Sequence, residues 1–163
     1  MTDKSFVKNK SENNLENFPF VFGLEFGFPV KFKKTYYENS YSGYMGIFLD
    51  KKKTSNILFE YGKVTPNAEL KEEAGSLFSL GFSYKFLRVD KSILSAKLIF
   101  SLYINEAKKS GLAAPTVILS YDYKLTKILN LTGSIKYLIV NHADMDPYYH
   151  NPFISIGIVF FSP

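Results

Sequence analysis

From Phe20 to Phe32 every second residue is large and apolar: Phe20, Phe22, Leu24, Phe26, Phe28, Val30 and Phe32 alternate with Val21, Gly23, Glu25, Gly27, Pro29 and Lys31. A period of two belongs to a β-strand with one greasy face and one small or polar face. The run is long enough to cross a bilayer, since a tilted membrane strand needs only about 9–11 residues. Its second face carries Gly where a soluble sheet would more often show water Thr, Lys or Glu.

The alternation recurs along the chain and predicts strands over residues 18–33, 41–50, 56–64, 78–86, 93–106, 116–124, 129–140 and 152–161. The longer connections are expected after the first, third, fifth and seventh strands: 34–40, 65–75, a stretch leading past Pro115, and 141–151. The shorter ones, near 51–55, 88–92 and 126–127, follow the second, fourth and sixth. In a meander that closes on itself, this gathers tight turns at one rim and larger loops at the other. Outer-membrane barrels have an even strand number, short periplasmic turns and longer extracellular loops. The expectation is an all-β, closed, antiparallel, eight-stranded up-and-down transmembrane barrel over residues 18–163, both termini periplasmic. Pro29 removes one ladder hydrogen bond, so a bulge or edge effect is expected near the outer rim.

Residues 1–17 are polar and charged, a disordered tail with no apolar stretch of the signal-peptide kind. A barrel of this class requires export, so the sequence is expected to be a mature chain with an added Met1, or a trimmed one. Composition fits the barrel. The 163 residues are 46% hydrophobic, yet no run of 18 apolar residues exists to make a membrane helix. Sixteen Phe and twelve Tyr without Trp can build aromatic belts. With no Cys there is neither a disulfide nor a thiolate metal site. The net charge of +5 comes from Lys spread over turns, polar faces and tail, so no nucleic-acid partner is expected. No cofactor is expected either.

From Phe18 to Pro163 the chain resembles the small eight-stranded outer-membrane barrels of the OmpA/OmpX type. Its last strand, Ser155-x-Gly157-x-x-Phe160, is similar to their C-terminal assembly signal, although Ser162-Pro163 follows Phe161 where many members finish on Phe. The resemblance implies a monomeric outer-membrane protein. The Lys, Asn, Ile, Phe and Tyr bias fits an AT-rich genome such as a spirochaete's.

An eight-stranded barrel is only wide enough for side chains to fill it. The inward charges, Glu25, Glu60 and Asp122 against Lys31, Lys85, Lys97, Lys124 and Lys136, are therefore expected to pair across the lumen, because an unpaired buried charge is costly. A gated ion path through Glu25 and Glu60 is the sharper alternative. Tyr36, Tyr37, Tyr41, Tyr148 and Tyr149 would gather at the outer rim as an interfacial belt or as a contact surface for an extracellular or host protein.

The only histidines, His142 and His150, lie near Asp144 and Asp146. Asn141-His142-Ala143-Asp144 is similar in position to the motif of lipid A deacylase barrels, but Asp144 stands where that family has its Ser. Without the hydroxyl nucleophile a triad is incomplete, and the expectation is a protein that is not an enzyme. His142, Asp144, Asp146 and His150 could share a cation; solvated loop residues are the plainer reading. The rival fold, a soluble lipocalin-like barrel, would have to turn Gly23, Gly27, Gly46, Gly62, Ser79, Gly81, Ser83 and Ser95 to water and pack the Phe inside.

Overall fold

A computed structural model describes residues 18–30, 37–66, 75–105, 110–139 and 152–161. They form eight strands: β1 (Phe20–Pro29), β2 (Tyr37–Phe48), β3 (Ser55–Pro66), β4 (Gly75–Val89), β5 (Ser92–Asn105), β6 (Ser110–Lys124), β7 (Leu129–Leu138) and β8 (Phe153–Phe160). Each pairs antiparallel with the next, and β1 pairs with β8, so the sheet is a closed barrel in simple chain order. The closing ladder runs from Phe22↔Phe160 to Pro29↔Phe153.

Inward and outward positions follow the alternation in the sequence. On β1, Val21, Gly23, Glu25 and Gly27 are buried, while Phe22, Leu24, Phe26 and Phe28 face out. Elsewhere Leu80, Leu98 and Leu119 are 60%, 61% and 55% exposed, and their neighbours Ser79, Lys97 and Ser120 are buried. The result is an apolar outer wall around a mostly polar interior. A surface this greasy is far beyond what a water-soluble monomer presents.

Three prolines lie within strands without breaking the barrel; Pro66 ends β3 opposite Tyr37 of β2, past the last β3–β4 pair, Val64↔Gly75. Pro115, expected in a connection, sits inside β6 opposite Phe100. Its carbonyl faces β7, where it accepts from the Ile139 amide at 2.8 Å. A residue's N and O point to the same side of a strand, so its missing N–H falls just past the last β6–β7 pair, Thr116↔Leu138. Because β6 begins at Ser110, the β5–β6 connection shrinks to 106–109 and is shorter than the turn between β2 and β3. The expected alternation of long and short connections therefore fails at β5–β6. Pro29 is the last residue of β1. The ladder to β2 stops at Gly27↔Ser40, while that to β8 continues to Pro29. The nearby register shift lies in β2, between Tyr37 and Asn39 against β3.

At the β2–β3 turn, Lys53 adopts a left-handed φ of 54°. The Asp50 carboxylate holds the turn, accepting from the amides of Thr54 (2.9 Å) and Ser55 (3.0 Å) and from the Thr54 hydroxyl (2.5 Å). These bonds, the Thr54 hydroxyl foremost, hold the Asp50 carboxyl below its ordinary 3.8. A depressed folded value means that the turn's contribution is full above about 3.8 and is lost as pH falls through the lower folded value. Carboxyl-carbon NMR titration in micelles should place the Asp50 midpoint below 3.8, and Thr54→Val should raise it; a midpoint at or above 3.8 in the unmodified chain contradicts this account of the turn.

Candidate functional site

The buried charges of the lumen are the densest chemistry among the described residues. Glu25 stands mid-strand on β1 between Ser42 on β2 and Gly157 on β8. Its side chain is only 2% exposed. Lys97 of β5 reaches across to Glu25 Oε1 at 3.4 Å, and Lys136 of β7 reaches Oε2 at 3.3 Å. Lys136 also contacts Glu60 of β3 at 2.5 Å. The chain Lys97–Glu25–Lys136–Glu60 thus holds two carboxylates and two ammoniums and ties the four odd-numbered strands together through the interior.

Neutral groups complete the layer. Ser42 donates to Glu60 at 2.6 Å and Ser134 to Glu25 at 3.2 Å. The Lys97 ammonium lies 4.5 Å from the centre of the Tyr44 ring, a cation–π geometry that counts for more away from water. Alongside, Thr116, Ser101 and Ser79 form a hydroxyl chain with spacings of 2.9 and 3.0 Å. Buried charges survive only when paired and further hydrogen-bonded, and both conditions are met here.

Apolar layers lie on either side. Val64 and Tyr103 pack with Leu77 and Phe153 toward the rim reached by the ends of β1 and β3. Val21, Leu58 and Val159 pack with Tyr44 and Phe48 toward the rim of the short turns. Inward glycines make room for the large rings. A Cβ at Gly23 would collide with the Tyr44 ring, and one at Gly75 with the Tyr103 ring. Among the described residues, two small internal cavities lie in the lumen, of about 10 and 20 Å³. Tyr44, Leu58 and Lys97 line both. A single water needs roughly 10–15 Å³ of this kind of space, so each has room for about one water. A hydrated path would need to be far wider.

Other expected site residues fall elsewhere. Lys85 and Asp122 line the 20 Å³ cavity on the short-turn side. The Lys85 ammonium lies 4.8 Å from the Phe48 ring. Lys124 ends β6 at the short-turn rim, where its amide donates to the Lys91 carbonyl at 2.8 Å. Lys31, Tyr36, His142, Asp144, Asp146, Tyr148, Tyr149 and His150 lie outside the described residues. Tyr37 belongs to β2 opposite Pro66. Sequence reasoning passed over Tyr44, Ser42 and Ser134. The signal available for Tyr44 was Gly23: a glycine among inward positions of one strand marks where a ring from the next strand lies.

No family model matches the sequence, and no curated protein matches it. Solved structures do. The N-terminal β-barrel domain of Pseudomonas aeruginosa OprF superposes with a TM-score of 0.59 at 18% identity, covering 87% of this chain and 96% of that one. Neisserial surface protein A gives 0.57 at 14% identity, covering 88% and 97%. The outer membrane protein OprG of Pseudomonas aeruginosa gives 0.53 at 10% identity, covering 86% and 94%. At such identities the likeness is one of fold. This chain has the closed eight-stranded fold of outer-membrane β-barrel proteins.

The charge layer makes a stability prediction. Lys136→Met removes the cation shared by Glu25 and Glu60, and breaking a buried pair from one side costs about 3–5 kcal/mol. Urea unfolding in lipid vesicles should show a loss of that order, partly recovered in the charge-balanced double variant Lys136→Met with Glu60→Gln. A single variant as stable as the parent would contradict the network.

Proposed function

We propose that this protein is a non-enzymatic outer-membrane barrel with a closed lumen, whose work is done at its surface. The observation that carries this reading is the filled interior: a charge-balanced layer bonded across four strands and flanked by apolar packing. In this reading both termini are periplasmic and the protein is a monomer. The connections that include 31–36, 67–74, 106–109 and 140–151 face outward and contact a partner or host molecule. Tyr36, Tyr37, Tyr148 and Tyr149 are then contact residues, since Tyr offers large contact area at low entropic cost.

A narrow channel is the second reading. It is favoured by the two cavities having Tyr44, Leu58 and Lys97 as shared walls, so that few side chains separate them. Conduction would require those groups and the Glu25 and Glu60 pairs to move together. The lipid-modifying enzyme rests on His142 alone and lacks the serine its motif would need.

Planar-bilayer recording separates the first two. The closed reading expects no regular conductance steps from the refolded protein, and reproducible steps altered by Glu25→Gln would replace it with the channel. Exchanging residues 67–74 and 141–151 for short polar turns should leave the barrel folded and remove its binding to cell surfaces; undiminished binding by the exchanged protein speaks against the surface role.

A further inference from the structure

Among the described residues, glycines interrupt the outer wall at Gly133 on β7, level with Tyr121 and Ile156, and at Gly43, which borders a trough. Gly43 occupies an outward position on β2, level with Leu24 of β1 and Tyr61 of β3. Its neighbours along the strand, Tyr41 and Met45, are 50% and 42% exposed. The missing side chain opens a trough of about 770 Å³ walled by Leu24, Phe26, Tyr41, Tyr61, Ile156 and Ile158. Past Leu24 and Gly43 a second hollow of about 390 Å³ continues between Phe22, Met45 and Phe59 toward the short-turn rim.

The wall itself does not require this glycine. A Cβ at position 43 would meet Leu24 Cδ2 at 3.3 Å and the Gly23 carbonyl at 3.7 Å, a light contact with a movable side chain. At Gly23, by contrast, a Cβ would enter the Tyr44 ring. The inward glycine serves packing; the outward one leaves space on the surface.

One end of the trough is charged. Lys63 lies on its edge, on the outward face of β3, flanked in register by Tyr41 and Ser76. It stands close to the rim away from the short turns. A lysine on a hydrocarbon-facing wall extends its stem along the apolar surface and holds its ammonium at headgroup depth. The trough therefore starts at a cation in the headgroup layer and crosses β2, β1 and β8 to Leu131 of β7. Because the strands of a barrel are staggered, such a row of paired residues descends around the wall into the apolar core, which is the outline of one lipid.

We infer that this trough seats an acyl chain of an anionic phospholipid, with the Lys63 ammonium and the Tyr41 hydroxyl on its phosphate. The ammonium has three donors, so it serves a phosphate oxygen in addition to groups of the protein. A second copy of the chain fits the surface less well. A two-fold axis along the membrane normal would bring two Lys63 ammoniums to the same depth across one contact. A zwitterionic lipid offers a phosphate offset by its own cation and gains less from Lys63.

The inference rests on the membrane location proposed above and is independent of whether the lumen conducts. Native mass spectrometry of the refolded protein, in micelles doped with phosphatidylglycerol or with phosphatidylcholine of the same acyl chains, tests it. The SDS-resistant, heat-modifiable gel band of each variant reports folding; its absence from the parent chain in micelles overturns the membrane reading and the inference with it. Adducts should favour phosphatidylglycerol by about fivefold, the effect of one lysine near a charged headgroup. Lys63→Gln should abolish that preference while Lys52→Gln, on the short-turn side, leaves it intact. Gly43→Leu should fold and reduce adducts of both lipids. Equal adducts from both lipids in the parent chain, a preference that survives Lys63→Gln, or adducts unaffected by Gly43→Leu would each overturn the inference. So would a dimer that Gly43→Leu dissolves, which would make the trough a seat for a second copy.

Discussion

Inside hydrocarbon no water is available to bond a free amide or carbonyl, so a sheet that crosses a membrane has to close on itself. The eight ladders described here end where they began, with β1 bonded to β8 along Phe22–Pro29. Most other features follow from that closure. With no free edge there are two faces to satisfy, and the period-two alternation of the strands assigns one to lipid and one to a narrow lumen. Prolines are tolerated only where a ladder has run out, as at Pro29 and Pro115.

Closure at eight strands leaves an interior just wide enough for side chains. This is why the lumen chemistry resembles a protein core more than a pore. Glu25 and Glu60 can be buried because Lys97 and Lys136 are held opposite them, and because Ser42, Ser134 and Tyr44 use the remaining bonding directions. Small residues are as necessary as the charges. Gly23 admits the ring that lies beneath Lys97, and without that ring the ammonium would lose a wall of its site.

Much of the fold was legible in the residues. The outward set Phe22, Leu24, Phe26, Phe28 and the inward set Val21, Gly23, Glu25, Gly27 were readable from β1 alone, since a strand's two faces are fixed by parity. The start of β6 was not. Pro115 reads as a strand terminator unless one knows that its missing amide falls past the last pair with β7, and that is a tertiary fact. The inward position of the lumen charges followed from parity, but their partners did not. Which lysine meets Glu25 depends on the stagger of the strands around the barrel, and Lys97 lies 72 residues away in sequence. The trough at Gly43 was equally hidden, because a lone glycine acquires meaning only once Leu24 and Tyr61 are seen beside it.

The central claim is that the apolar face lies outward in hydrocarbon all the way around the barrel. The chain contains no tryptophan, so single replacements at Leu24, Leu80, Leu98, Leu119 and Ile135, each on the outer wall, give one fluorescent reporter apiece. The most direct measurement is quenching of these reporters in vesicles whose acyl chains carry bromine, compared with quenching by aqueous iodide. The account predicts strong quenching by the brominated chains and little by iodide at all five positions. Reporters quenched by iodide and untouched by the brominated chains would contradict it.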